Sequence, residues 1–178
     1  MGATAVTPAL PGAGLLVLTA LGIEARAVRP ALGGAEIVEV GMGPARAGRG
    51  ARQALERASG AHRGPVALAV AGFCGALDPS LAPGSVVVAS EVRCLGPEAP
   101  PVIACPSAPL IAAGLRAMGI DAAAGAVLSV DHVAGRAERA ELRARPEAAG
   151  ALAVDMESAW MLAAALPEQC PVAVLRVV

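Results

Sequence analysis

Aromatic residues are almost missing from this chain. Phe73 and Trp160 stand alone among 178 residues, and there is no tyrosine. Recognition of single-stranded nucleic acid by stacking needs a platform of rings, so that function class has little support. A basic footprint is missing as well. Lys and Arg total 14 against 15 Asp and Glu, for a net charge of -1, which leaves no electrostatic handle on nucleic acid. Cysteine is sparse and scattered: Cys74, Cys94, Cys105 and Cys170 form no CxxC pair, and His62 and His132 lie far from any cysteine pair. No zinc or other metal site is expected from such spacing. Without a secretory signal, isolated cysteines point to reduced thiols and a cytoplasmic location. The first residues carry no basic group ahead of an apolar core, unlike a signal peptide. No run of spanning length is free of Gly, Pro and charge, so no integral membrane segment is expected.

What the chain does have is small and apolar: Ala, Val, Leu, Gly and Pro dominate, with 56% hydrophobic residues. That composition and length fit one domain with a sizeable core. No internal repeat is visible. Residues 1–14 read as a flexible lead-in, and residues 15–178 as a single domain.

The apolar runs have strand length. Residues 15–20 form a continuous run typical of a buried parallel strand, followed by a helical stretch that stops at Pro30. Residues 36–40 alternate like an edge strand. Gly41-Met42-Gly43-Pro44 makes a tight loop into an arginine-bearing helix over residues 45–59. That loop could hold an anion on its backbone N–H groups, with Gly43 and Arg46 as candidates. Further strands are expected over 65–71, 85–90, 125–130, 151–154 and 172–178, and helices over 108–118 and 137–145. Residues 95–109, punctuated by proline, are expected to be irregular: a lid or a long loop. The final strand has no covering element after it, so it is either an edge strand or the chain stops short of its natural end.

Chemistry concentrates at strand–helix junctions. The stretch Ala151-Leu152-Ala153-Val154-Asp155-Met156-Glu157-Ser158-Ala159-Trp160 runs from a strand into a helix and drops two carboxylates at the junction. Open α/β sheets place ligands at the carboxyl ends of their strands, although acids in a first helical turn also simply complement the helix dipole. Glu24 sits just past the first strand in the same way. Gly72-Phe73-Cys74-Gly75 follows the third strand, and its two glycines let backbone approach a flat ligand closely.

Four collinear segments resemble the nucleoside phosphorylase/nucleosidase superfamily, on its methylthioadenosine/S-adenosylhomocysteine nucleosidase side. They are the first strand with Glu24; Val40-Gly41-Met42-Gly43; Ala71-Gly72-Phe73-Cys74-Gly75-Ala76-Leu77 with Leu81-Ala82-Pro83-Gly84-Ser85-Val86-Val87-Val88; and Val154-Asp155-Met156-Glu157-Ser158-Ala159 with the last strand. Their order, and an actinobacterial-looking composition, are most similar to the hopanoid-associated branch, which removes adenine from adenosylhopane.

The resemblance implies a three-layer α/β/α fold around a mixed, partly barrel-like sheet. It implies a purine nucleosidase that needs no cofactor, takes a small-molecule nucleoside and works as a homodimer or larger homo-oligomer. It assigns water activation to Glu24, ribose binding to Glu157 and sugar packing to Met156. Backbone contacts fall to Phe73, Cys74 and Gly75, with Asp155 beside them. Phosphorylases of the superfamily place phosphate-binding arginines and a hydroxyl where this chain has Glu24, Val70 and Phe73. An acid there repels phosphate, so water is the expected nucleophile, with phosphorolysis as the alternative. The family's proton donor is an aspartate directly after a serine, a pair that would begin just past Val178. The domain is thus expected to lack its C-terminal end, unless another acid such as Asp131 substitutes or the protein binds nucleosides without cleaving them.

Overall fold

The computed structural model describes residues 14–61, 66–96, 99–166 and 170–178. The lead-in assigned to residues 1–14 lies outside these, except for Gly14, which opens the first strand; His62 and Pro65 lie outside them too. In chain order the elements are β1 (Gly14–Thr19), α1 (Gly22–Val28), β2 (Glu36–Glu39), α2 (Pro44–Ala61), β3 (Val66–Phe73), β4 (Gly75–Ala76), β5 (Val86–Cys94), β6 (Ile103–Ala104), α3 (Ala108–Ala117), β7 (Ala122–Ser129), α4 (Arg136–Arg143), β8 (Ala151–Asp155), α5 (Ser158–Ala163) and β9 (Val172–Val177).

The strands form one mixed sheet in the order β2-β1-β3-β9-β5-β7-β8-β4, with β6 paired to β5. β1, β2, β3 and β9 run parallel to one another. The direction reverses between β9 and β5, and β5, β7 and β8 then run parallel. β4 pairs with β8 yet follows β3 after one residue, Cys74. Phe73 thus pairs with Val177 of β9 while Gly75 pairs with Val154 of β8. The sheet has to curl until its far edge meets β3, which is the partly barrel-like architecture expected. The curl brings the end of β8 beside the ends of β3 and β9.

Both faces are covered. Leu16, Val17 and Leu18 are all buried, so β1 shows no alternation, as a strand between two layers should not. On one side α2 turns Ala47, Ala51, Ala54, Leu55 and Ala58 inward against α5 and the sheet. These lie four, three, one and three residues apart, a single helical face. The alanines allow close approach: a Cβ on Gly50 would sit 2.7 Å from the Cβ of Val40. α3 packs on β5 and β7, and Leu142 of α4 joins Leu77, Leu128 and Val154.

Three sequence expectations change. β9 lies between β3 and β5, so it is an interior strand and the edge alternative fails. The proline-rich segment 95–109 carries β6 and the first turn of α3, with Ile103 and Cys105 buried in the core. β5 continues past residue 90 because its charges are matched. Arg93 Nε donates to Glu91 at 2.8 Å, and its Nη1 caps the carbonyls of Glu147 and Ala149.

Candidate functional site

A hollow of about 330 Å³ opens where these strand ends converge, and both Glu24 and Glu157 line it. Glu24 occupies the third position of α1. Its Oε2 accepts the N–H groups of Ala20 and Leu21, each at 2.9 Å, half of a capping box. Its Oε1 accepts the N–H of Phe73 from the end of β3 at 2.8 Å. At 5% exposure it is not the solvated first-turn carboxylate that a dipole argument alone would allow.

Gly72 makes that placement possible. A Cβ there would stand 2.4 Å from Glu24 Oε1 and 2.3 Å from Nη1 of Arg176. The absent side chain lets an acid from α1 and a base from β9 face the same small space. Arg176 is fully buried. Its Nη2 pairs with Asp155 Oδ2 at 2.8 Å, and its Nε and Nη2 donate to Ser158 Oγ. Its Nη1 is buried without a hydrogen-bond partner. The sequence reading passed over Arg176; a lone charge in the apolar run Val172-Ala173-Val174-Leu175-Arg176-Val177 was the available signal.

Asp155 lines the hollow, but its carboxylate is committed to holding Arg176 and the start of α5. Its Oδ1 accepts Ser129 Oγ at 2.5 Å, and Ser129 Oγ in turn accepts the Ala159 N–H. Glu157 is the N-cap residue of α5 and 6% exposed. Its Oε1 accepts the Gly43 N–H at 3.0 Å, pinning the Gly41–Gly43 loop, where both glycines take positive φ. Burial pushes its pKa up. The Gly43 hydrogen bond and Arg176 oppose that shift, while Asp155 and Glu24 reinforce it.

Met156, Phe73, Cys74 and Gly75 line the same hollow. Phe73 is half exposed, so it is no core anchor. Burial pushes the Cys74 thiol up to about 12, with Arg176 opposing and Asp155 adding, so it stays protonated. Arg46 is exposed and does not reach the hollow; its stem packs against Gly41. The Gly43 N–H, its suggested partner for phosphate, is already used by Glu157.

The far side of the hollow was not anticipated. His132, Val133, Ala134 and Arg139 line it. His132 Nδ1 meets Asp131 Oδ1 at 2.6 Å, and its Nε2 meets Glu138 Oε1. These partners raise the pKa of His132, and His132 lowers that of Asp131. Asp131 is therefore held ionised and does not line the hollow, a poor arrangement for a proton donor. The described residues of the segment 95–109 contribute nothing to the lining. Among the described residues no cluster of His, Cys, Asp and Glu could hold a metal, and no helix is long and apolar enough to cross a membrane.

A curled mixed sheet with helices on both faces and ligand-sized space at converging strand ends is the fold of nucleoside-cleaving enzymes of known structure. The methylthioadenosine nucleosidase of Helicobacter pylori, solved as a mutant with 5′-methylthioadenosine in its active site, superposes with a TM-score of 0.76 at 16% identity. That match covers 92% of this chain and 84% of the other. The methylthioadenosine/S-adenosylhomocysteine nucleosidase of Colwellia psychrerythraea, in complex with adenine, gives 0.74 at 20% identity, over 93% and 81%. The futalosine hydrolase of Helicobacter pylori gives 0.75 at 16%, over 94% and 87%. No curated protein matches the chain in sequence. The sequence profile of the Phosphorylase superfamily matches residues 31–178, and the chain belongs to that superfamily. Its members include nucleosidases and phosphorylases.

Proposed function

We propose that the protein is a purine nucleosidase, cleaving the N-glycosidic bond of an adenosine-type nucleoside with water. The observation that carries this reading is the convergence of two buried glutamates, from α1 and from the β8–α5 junction, on one hollow. Departure of the base leaves a cationic sugar, and carboxylates held out of water favour that charge strongly. Glu157 keeps Oε2 for ribose hydroxyls while Oε1 holds the Gly43 loop. Glu24 Oε1 has one lone pair on Phe73 and the other for a water proton, making it the general base. Met156 packs against the sugar, and the backbone at Phe73, Cys74 and Gly75 borders the ligand.

Hydrolysis is favoured over phosphorolysis because the protein's own carboxylates occupy its anion-binding N–H groups. Glu24 takes those of Ala20, Leu21 and Phe73, and Glu157 takes that of Gly43. A phosphate entering would meet two negative charges and find these donors used. Met42, Phe73 and Val133 line the hollow and are each at least half exposed. This apolar collar suits a greasy 5′ substituent such as that of adenosylhopane, with the protein acting in the cytoplasm as a homodimer.

The test is adenine release from adenosine-type nucleosides with and without phosphate. Release independent of phosphate, lost by 100-fold or so in Glu24→Gln, is expected from removal of a general base, worth ~10²–10⁴-fold. Release that requires phosphate overturns the choice of water.

A further inference from the structure

The hollow is electrically lopsided. On the side of β1, β8 and β9, Arg176 pairs with Asp155 while its Nη1, buried without a hydrogen-bond partner, faces Glu24, so three carboxylates, Glu24, Asp155 and Glu157, stand against one guanidinium. On the side of α4, His132 is enclosed by two carboxylates and adds no net positive charge. Arg139 differs. It lines the hollow, and among the described residues it makes no ion pair. Its Nη1 donates to the Ala134 carbonyl at 3.0 Å, while Nε and Nη2 make no hydrogen bond to the described residues. Its stem lies against Gly75, where a Cβ would stand 2.7 Å from Arg139 Cδ, so any larger residue at that end of the sheet would displace it. Arg136 and Arg143, likewise without ion pairs among the described residues, stand beside it on α4 around an adjoining cavity of about 810 Å³, whose lining holds these three arginines against one acid, Asp78.

Cleavage of a glycosidic bond separates charge. The electron pair of the C1′–N bond leaves with the base, C1′ becomes cationic, water oxygen bonds to C1′ and the water proton passes to Glu24. A hollow with an excess of carboxylate at one side and the guanidinium of Arg139, which makes no ion pair among the described residues, at the other matches that separation. Resting on the nucleosidase reading above, we propose that Arg139 is a catalytic residue contacting the leaving base. Its Nε and Nη2 donors take up the negative charge that develops on the departing purine, which is then protonated in balance with the proton that Glu24 takes from water. A fixed donor aimed at developing charge is worth up to ~10²–10³-fold in rate.

The test compares two leaving groups on the complete protein. One substrate is an adenosine-type nucleoside; the other is 4-nitrophenyl riboside, whose leaving group is already stable as an anion. Arg139→Gln is expected to lose about 100-fold in kcat on the purine nucleoside but only a few-fold on the nitrophenyl riboside. Arg139→Lys keeps the charge and most of the stem, and should retain the wild-type ratio of the two rates. Equal losses on both substrates in Arg139→Gln overturn the proposal, as does a change confined to KM. So does a ratio shifted in Arg139→Lys as far as in Arg139→Gln. Failure of the unmodified protein to cleave either substrate would instead count against the nucleosidase reading itself.

Discussion

The floor of the hollow and its rim use the same chemistry in opposite settings. On the floor, Arg176 and Asp155 pair with side chains 0% and 1% exposed; Ser129 donates to Asp155 and Ser158 accepts from Arg176, while Arg176 Nη1 keeps no hydrogen-bond partner among the described residues. On the rim, His132 pairs with Asp131 and Glu138 with side chains 54%, 65% and 35% exposed. A buried pair is held by the cost of leaving either partner alone, a cost of several kcal/mol. An exposed pair competes with water and salt, and contributes little. The floor therefore builds a rigid electrostatic site, whereas the rim fastens the start of α4 to the end of β7 without adding much to stability.

The largest effect should come from breaking the floor. Arg176→Met strands Asp155 without its cation, and a loss of about 3–5 kcal/mol in urea unfolding is expected from removal of one partner of a buried pair. Adding Asp155→Asn should recover part of that loss, because the stranded charge is then gone. Equal stabilities for the single and double variants would mean that the pair is not the source of the cost.

Glu157 tests the floor from its functional side. Its pKa is raised, so the folded state holds that proton more tightly than the unfolded chain does. Stability linked to it is present below the usual glutamate pKa of 4.5 and is lost as pH rises through the raised value. Glu157→Gln removes the charge and keeps an acceptor for the Gly43 N–H. Its Tm at pH 7 should exceed that of the unmodified protein while turnover is abolished. The gain should vanish below pH 4.5, where both side chains are neutral. A Tm unchanged or lowered at pH 7 would show that desolvation does not dominate at this carboxylate.

The smallest effect belongs to the rim. His132 has a raised pKa, so its contribution is complete below 6.5 and is lost as pH rises through the raised value. His132→Gln should leave Tm nearly unchanged, with any difference confined to that lower pH range and erased by ~1 M salt. A large, salt-insensitive drop would make the rim equivalent to the floor.

Much of this fold was legible because its signals are local. The apolar runs that became β1, β3, β7 and β8, and the prolines and glycines that end them, state their structure within a few residues. The acids at the two strand–helix junctions were legible for the same reason, and Glu24 and Glu157 do share a hollow. Two residues on the far side of the hollow carry no local mark of function. Arg139 reads as one more charge on a polar helix, and His132 as a loop residue.

Composition and pattern alone thus determined an apolar α/β fold with carboxylates at the ends of two strands. Tertiary structure alone decided that β9 inserts between β3 and β5, reversing the sheet's direction, and that β4 closes the curl beside β8. Those pairings join residues a hundred or more positions apart in some cases, such as Leu68 with Val172. Nothing in the spacing of neighbours encodes such partners. Only the packed sheet could set Arg176, Glu24 and Glu157 around one space, because each is carried there by a different strand end.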